Sequence, residues 1–215
     1  MAQNTFNEST SNNSTNNSTA LPREDRSGGW GATKLFGATM LILATIGEFF
    51  SFLITVDKIA LLVDPTFVPA CTFNEVVSCS DVMQSPQANA FGFPNPLIGI
   101  LGYGVVMTIG VVLMTGAKLP RWFWWCTLAG MTFGIVFVHW LAYSAIFVIG
   151  ALCPYCMAVW AIMMPLLIMT MVHMMREIRR DRGDVVAHSA FGMPLLVVIA
   201  WYLGVAAVIW IQLFM

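Results

Sequence analysis

The decapeptide ALCPYCMAVW, residues 151–160, places two cysteines three positions apart at the start of an apolar segment. Another apolar segment ends only a few residues earlier, so the chain must reverse its direction here. On an α-helix, residues i and i+3 have Cα atoms about 5 Å apart, which is within the range that a disulfide needs. Cys153 and Cys156 can therefore cycle between a dithiol and a disulfide on one helical turn.

The residues around this pair favour reactive thiols. Pro154 suits the first position of a helix, because its missing N–H is no loss there. The N-terminus of a helix carries partial positive charge, which stabilises a thiolate and lowers the pKa of a thiol. A static structural disulfide and half of a metal site are the alternatives, and a tetrahedral site needs further ligands such as His139. The Cys-x-x-Cys spacing favours redox chemistry over both, and no metal is expected.

The composition of the whole chain is that of an integral membrane protein. Of its 215 residues, 58% are hydrophobic and only 10% are charged, whereas soluble domains carry about 25% charged residues. The net charge of −1, with basic residues dispersed over short connections, gives no sign of nucleic-acid binding. Five apolar stretches are long enough to cross a bilayer as helices: Leu35–Val56, Leu97–Thr115, Trp122–Val148, Cys153–Met175 and Phe191–Met215.

The basic residues predict how the chain crosses the membrane. Nine of the ten lie on one side of the predicted spans, and only Lys58 lies on the other. The positive-inside rule assigns the majority side, with the N-terminus, to the cytoplasm. The loop of residues 57–96 is then exoplasmic, on an oxidising face where disulfides persist. Four of the five cysteines lie on that face, and the fifth, Cys126, is expected to be buried as a small hydrophobe.

The remaining segments complete the predicted organisation. Residues 1–34 contain the polar tract NESTSNNSTNNST, which buries too little apolar surface to fold and is expected to be a disordered cytoplasmic tail. Residues 35–176 hold the first four spans. Residues 177–190 form a basic cytoplasmic loop, and residues 191–215 form the fifth span.

The second cysteine pair lies in the stretch CTFNEVVSC, residues 71–79. A continuous helix would separate Cys71 and Cys79 by about 12 Å, too far for a bond, so pairing them requires a bent or mobile loop. Such a loop, with one cysteine near the membrane pair and one exposed to solvent, could pass electrons inward through mixed disulfides. The alternative is a permanent staple of the loop, and the neighbouring Cys-x-x-Cys favours the shuttle.

These elements together resemble the bacterial branch of the vitamin K epoxide reductase family. The similarity covers residues 35–176 and rests on the loop Cys-x7-Cys, Ser85, the Phe91-Gly92 pair, the PNPLIG motif that opens the second span, and the Cys-x-x-Cys that opens the fourth. The resemblance implies a membrane oxidase of the bacterial cytoplasmic membrane. Its members take electrons from a periplasmic thioredoxin-fold protein of the DsbA type and give them to a quinone.

The resemblance also implies roles for single residues. Cys71 meets the donor protein, Cys79 exchanges with the membrane pair, Cys153 accepts the attack from the loop, and Cys156 faces the quinone. Residues expected to bind the quinone are Ser85, Asn95, Phe91 and Trp160. Turn formation before a proline is the alternative role of Ser85 and of Asn95. Two positions depart from the family pattern: Trp160 replaces a common tyrosine, and Met83 stands where an aromatic residue can occur.

The expected architecture is a four-helix transmembrane bundle around a quinone pocket, capped by the exoplasmic loop, with the fifth helix packed outside. Because their connections are short, the second, third and fourth spans are predicted to be antiparallel neighbours. The donor is expected to be a separate polypeptide, since the chain ends directly after its fifth span. The resemblance favours menaquinone over ubiquinone as the acceptor.

Other functions stay open at this point. The cysteines could be ligands in a metal-binding or transport protein, both disulfides could be permanent in a structural subunit, or the enzyme could act mainly on vitamin K epoxide and other small molecules. Glu48 lies within the first span, where a carboxylate is expensive and marks a functional site by default. A proton route and a hydrogen-bonded residue inside the bundle are equally good readings of Glu48.

Overall fold

The computed structural model describes residues 29–183 and 192–214, and most of these residues are helical. The helices are α1 (Lys34–Val63), α2 (Cys79–Gln84), α3 (Pro96–Met114), α4 (Arg121–Tyr143), α5 (Pro154–Asp181) and α6 (Gly192–Phe214), with a 3₁₀-helix at Pro86–Asn89 and a π-helix at Ser144–Ile149. Two short strands, β1 (Gly29–Gly31) and β2 (Lys118–Pro120), pair antiparallel. Five of the described helices are long and apolar enough to cross a membrane. The prediction of an all-α, multi-pass membrane protein is confirmed.

Two helices are longer than the sequence predicted. Helix α1 continues past Val56 to Val63, so the loop begins at Asp64 rather than at residue 57. The charged residues Asp57 and Lys58 end the apolar stretch in the sequence. The helix nevertheless continues through them, because the cap covers Lys58 and buries it. Helix α5 likewise continues to Asp181, so the first residues of the predicted loop 177–190 are helical. Residues 184–191 lie outside the described part of the chain.

The segment predicted to be a disordered tail, residues 1–34, includes residues that have a defined structure. Residues 1–28 lie outside the described part, but Gly29 to Gly31 already form a strand. Trp30 is buried, and its indole N–H donates to Asp181 at 3.0 Å. Arg121 pairs with the same carboxylate and lies over the Trp30 ring. These contacts join the segment before α1 to the start of α4 and the end of α5, which explains why residues 29–31 have a defined structure ahead of the first span.

Helix α1 is the central element of the bundle. It packs against α3 and α5, α5 packs against α4, and α6 lies outside against α5 and the π-helix. The α1–α3 contact is very close, since a Cβ atom built on Gly110 would lie 2.9 Å from the Leu41 backbone nitrogen and 3.0 Å from the Gly37 carbonyl oxygen. Small residues of this kind let helix backbones approach each other in a lipid environment.

Helices α3 and α4 are not closely packed against each other, although only a short connection joins them. The expectation that the second and third spans are neighbours is therefore wrong. Each of them packs on a different partner, α3 on α1 and α4 on α5. The space between them is a cavity, described below.

Residues 64–95 form a cap over one end of the bundle. The cap is joined to the α4–α5 connection by a parallel bridge between Val77 and Leu152. Its backbone hydrogen bonds run from Ser78 N–H to the Leu152 carbonyl (3.0 Å) and from Leu152 N–H to the Val76 carbonyl (2.7 Å). These bonds place the loop cysteines directly beside the start of α5.

The close approach of α1 and α3 predicts a stability difference between two glycines of the same helix. Gly110→Ala should lower the free energy of unfolding by roughly 1–3 kcal/mol, because the added methyl group has no room between the backbones. Gly104→Ala is the matched control, since nothing lies within 4 Å of its added Cβ. Thermal unfolding in detergent would measure both variants, and equal melting temperatures would contradict this packing.

Candidate active site

Cys153 is the N-cap residue of α5 and precedes the membrane span. The chain reaches it through Gly150, whose positive φ of 74° ends the π-helix. Pro154 occupies the first helical position, and the Cys153 sulfur accepts a hydrogen bond from the Cys156 N–H at 3.4 Å. Hydrogen bonds from the Cys156 thiol, and from the N–H groups of Cys156 and Tyr155, lower the pKa of Cys153. The reduced pair therefore carries a Cys153 thiolate at lower pH than a free cysteine would.

The loop cysteines are joined in a disulfide, with Cα atoms 5.6 Å apart. The bend that this requires is made by Asn74, whose side-chain oxygen accepts hydrogen bonds from the N–H groups of Val76 and Val77. Ser78 then caps α2, so that Cys79 becomes the first residue of that helix. A polar turn and a capped helix thus bring the two sulfurs together.

The two cysteine pairs meet at one point. The Sγ atoms of Cys79 and Cys153 lie 3.1 Å apart, and Cys153 and Cys156 are free thiols. A thiolate at this distance from a disulfide sulfur is in position for exchange through a mixed disulfide. The contact is buried among apolar side chains, which include Ile54 and Leu61 of α1. Both pairs therefore lie together in one buried sulfur cluster.

Cys71 does not lie where the shuttle hypothesis placed it. It was expected to be exposed to solvent, but only 2% of its surface is accessible. The segment that carries it folds back onto the bundle, and the neighbouring Pro69 is fully buried as well. A protein donor can reach this sulfur only if part of the cap moves.

A cavity of about 530 Å³ lies between α3 and α4, with walls from α1, α5 and the cap. Its cap end is formed by Cys156 together with the polar residues Lys58, Ser85 and Asn95. Away from the cap the lining is mostly apolar and follows α4 from Leu141 to Trp122, roughly 28 Å at 1.5 Å per residue. The cavity is a long apolar groove with a thiol and several polar groups at one end.

Three of the four predicted quinone-binding residues line this cavity: Ser85, Asn95 and Trp160. The Ser85 hydroxyl donates to the Val82 carbonyl at 2.7 Å. The Asn95 amide closes the preceding turn, because its oxygen accepts from the Ala90 N–H and its nitrogen donates to the Gln87 carbonyl. Both side chains therefore form turns in the cap, which is the alternative role considered for them from the sequence. They also border the cavity.

Phe91 stands apart from the cavity lining. Its ring packs against Phe93 and Phe137, at centroid distances of 6.2 and 5.4 Å. Phe137 does line the cavity, so Phe91 supports the wall from behind.

The sequence analysis did not predict that Lys58 lines the cavity, and its prediction that Cys126 is buried is wrong. Lys58 appeared to be a loop residue, yet it is buried and borders the cavity. The sequence feature that could have indicated this is that Lys58 is the one basic residue on its side of the predicted spans. Cys126 is exposed rather than buried, because it faces the groove between α3 and α4. Glu48 is not among the lining residues, and within the described part of the chain its Oε2 atom has no hydrogen-bond partner.

A tetrahedral metal site at the cysteines would need a fourth ligand, and His139 is the candidate named from the sequence. Within the described ranges, the one group of metal-ligating side chains is Cys71, Cys79 and Cys153, whose sulfurs lie within 4.8 Å of one another. Two of these sulfurs are already bonded to each other. Both ring nitrogens of His139 are engaged elsewhere, with the Ile135 carbonyl and the Trp201 indole. The arrangement suits thiol–disulfide exchange better than a tetrahedral metal site.

The sulfur geometry predicts a specific cross-link. In a Cys71→Ala, Cys156→Ala double variant, Cys79 and Cys153 should form a disulfide under mild oxidation, because their sulfurs are already in contact. Peptide mass spectrometry without reduction would detect it. The complementary double variant, Cys79→Ala with Cys153→Ala, is the control, since Cys156 lies outside the three-sulfur group. Equal cross-linking in the two variants would contradict the proposed contact.

Comparison with known protein families matches residues 38–171, which is more than half of the chain, to the vitamin K epoxide reductase family. No match was found among curated proteins. The matched region contains both cysteine pairs, the cap and the cavity-lining helices α3, α4 and most of α5. The resemblance read from the motifs is thus confirmed at the level of the family. The chain belongs to the vitamin K epoxide reductase family, whose chemistry is quinone-linked disulfide oxidoreduction.

Proposed function

We propose that this protein is a thiol oxidase that passes electrons from a thioredoxin-fold donor, through its two cysteine pairs, to a membrane quinone. The observation that carries the proposal is the 3.1 Å approach of Cys79 to Cys153, which links the loop disulfide to the dithiol beside the cavity. Without this contact, the loop pair would be a structural staple.

The electron route runs inward in three exchanges. A reduced donor attacks the disulfide at Cys71 and leaves as its own disulfide, which makes the loop pair a dithiol. The Cys79 thiolate then attacks Cys153 in the Cys153–Cys156 disulfide and releases the Cys156 thiolate. Cys71 finally attacks Cys79, which restores the loop disulfide and frees Cys153. The described state, with the loop oxidised and the helical pair reduced, is the one that follows these steps.

The last reaction returns the helical pair to its disulfide. Cys153 and Cys156 together lose two electrons and two protons, and the quinone gains them and becomes a quinol. Cys156 is the cysteine of this pair that borders the cavity, so electrons leave the protein at this residue. The polar cap end then suits the quinone ring, and the long apolar groove along α4 suits an isoprenoid tail.

Menaquinone is the acceptor that we favour. The resemblance to the bacterial branch of the family supports this choice, and so does the aromatic character of the lining, which includes Trp160, Phe133 and Phe137. A fused naphthoquinone ring offers more surface for aromatic contacts than a single ring does.

The donor side follows from the charge distribution. Lys34, Lys118, Arg121 and the arginines of α5 lie at the end of the bundle opposite the cap, whereas Lys58 lies under the cap. By the positive-inside rule, this asymmetry supports a cytoplasmic N-terminus and a cap on the exoplasmic face of a bacterial cytoplasmic membrane. The donor is then a separate, exported, thioredoxin-fold protein of the DsbA type.

Two single variants separate the donor step from the quinone step. Cys71→Ala should reduce turnover of a protein donor to background but keep oxidation of a small dithiol, which needs no exchange with the loop. Cys156→Ala should abolish both activities, because no electrons reach the quinone. Quinone-dependent thiol loss, followed with purified protein in detergent, measures both. Turnover of a protein donor by the Cys156→Ala variant would disprove the route.

A trapping experiment can identify the donor. In a Cys79→Ala variant, the Cys71 thiolate should attack the disulfide of the oxidised donor, release the donor's second cysteine as a thiol and remain as a mixed disulfide, because Cys79 is no longer present to displace the donor from Cys71. Cells are quenched with acid and alkylated, and the adduct is purified without reductant for mass spectrometry. The Cys71→Ala, Cys79→Ala double variant should capture nothing. Recovery of equal adducts from both variants would contradict entry at Cys71.

A further inference from the structure

Lys58 is a buried cation at the reactive end of the cavity. Only 4% of its surface is accessible, although it lies on α1 near the cap. Its ammonium group donates a hydrogen bond to the backbone carbonyl of Met83, at the end of the cap helix α2. Within residues 29–183 and 192–214, no carboxylate lies within ion-pair distance of Lys58. An ammonium group has three N–H donors, so two of them are not used by the hydrogen bond to Met83.

A buried ammonium group without a counter-ion is energetically unfavourable. Charges taken out of water normally need a paired charge or a full set of hydrogen bonds. Lys58 has one carbonyl partner and faces a largely apolar cavity that it shares with Cys156. These features point to a ligand that supplies hydrogen-bond acceptors and negative charge at this position during the reaction.

Reduction of a quinone produces such a charge. As the electron pair arrives from the cysteines, negative charge develops on the ring oxygens before both protons are in place. A fixed donor or cation beside the developing oxyanion lowers the barrier, and it acts most strongly in an apolar, water-poor site. Lys58 is the one cationic side chain among the lining residues of the cavity.

We propose that the Lys58 ammonium group binds one carbonyl oxygen of the quinone and stabilises the negative charge that develops there. This inference rests on the proposed quinone-linked function and adds a catalytic residue to it. Over the cycle, Cys153 and Cys156 lose two electrons and two protons and form one S–S bond, and the quinone takes up both electrons and both protons. Lys58 neither gains nor loses a proton over the cycle, and it contributes its positive charge and an N–H hydrogen bond.

Three substitutions separate this role from a purely structural tether to Met83. Lys58→Gln keeps an N–H donor but removes the charge. Lys58→Arg keeps the charge, and Lys58→Met removes both. Lys34→Met is the control, because it removes an exposed charge from the opposite end of the same helix.

The test is a single turnover of the full-length protein in detergent. The protein is reduced, freed of reductant and mixed with menadione, a naphthoquinone without a tail, and quinol formation is followed by absorbance. Lys58→Gln and Lys58→Met should both react about 10- to 100-fold more slowly, whereas Lys58→Arg and Lys34→Met should stay within about threefold of the native rate.

A second measurement excludes a general loss of structure. The Cys79–Cys153 cross-link, made in the Cys71→Ala, Cys156→Ala background, should form at the native rate in all four variants. A native quinone rate in Lys58→Gln would overturn the proposal, and so would a parallel loss of quinone rate and cross-linking in every Lys58 variant. If the native protein itself reduced no quinone, the proposed function would fail instead.

Discussion

The contact between the sulfurs of Cys79 and Cys153 is the constraint on which the site depends. Thiol–disulfide exchange needs a sulfur aligned with another sulfur at near van der Waals distance, so the loop and the helix must be held in register. The bridge between Val77 and Leu152 provides that register, because it fixes the backbone just before Cys79 against the backbone just before Cys153. The Cys-x-x-Cys motif contributes the two thiols, and the Val77–Leu152 bridge holds the Cys79 sulfur of the loop against Cys153.

The helical framework serves the same site from the other side. Close packing of α1 on α3 around Gly110, together with the separate pairing of α4 on α5, leaves α3 and α4 apart. The resulting groove reaches Cys156 at the cap end and is apolar along most of its length. A lipid-soluble electron acceptor can therefore approach the Cys156 thiol within the plane of the membrane, while the donor of the proposed route approaches through the cap.

The cap has two functions that oppose each other. It buries Cys71 and Cys79, which protects the loop disulfide from reagents in water, and it covers the cavity end with the Met83 and Lys58 contact. In the proposed route, a donor displaces part of the cap to reach Cys71. Burial of Cys71 makes donor recognition a requirement for electron entry in this route, since the donor has to stabilise an opened cap before exchange begins.

Sequence patterns alone were enough to identify the helical membrane class, five candidate spans and the two cysteine pairs. These properties come from local composition and spacing: apolar stretches must be helical in lipid, and a Cys-x-x-Cys on one helical turn brings its sulfurs together. Local patterns did not reveal the end of α1 at Val63, the burial of Cys71 and Lys58, or the separation of α3 from α4. Tertiary structure decided these features, because they depend on which surfaces meet across the bundle and beneath the cap. A lysine that local sequence places in a loop is for this reason a buried cation that lines the same cavity as Cys156.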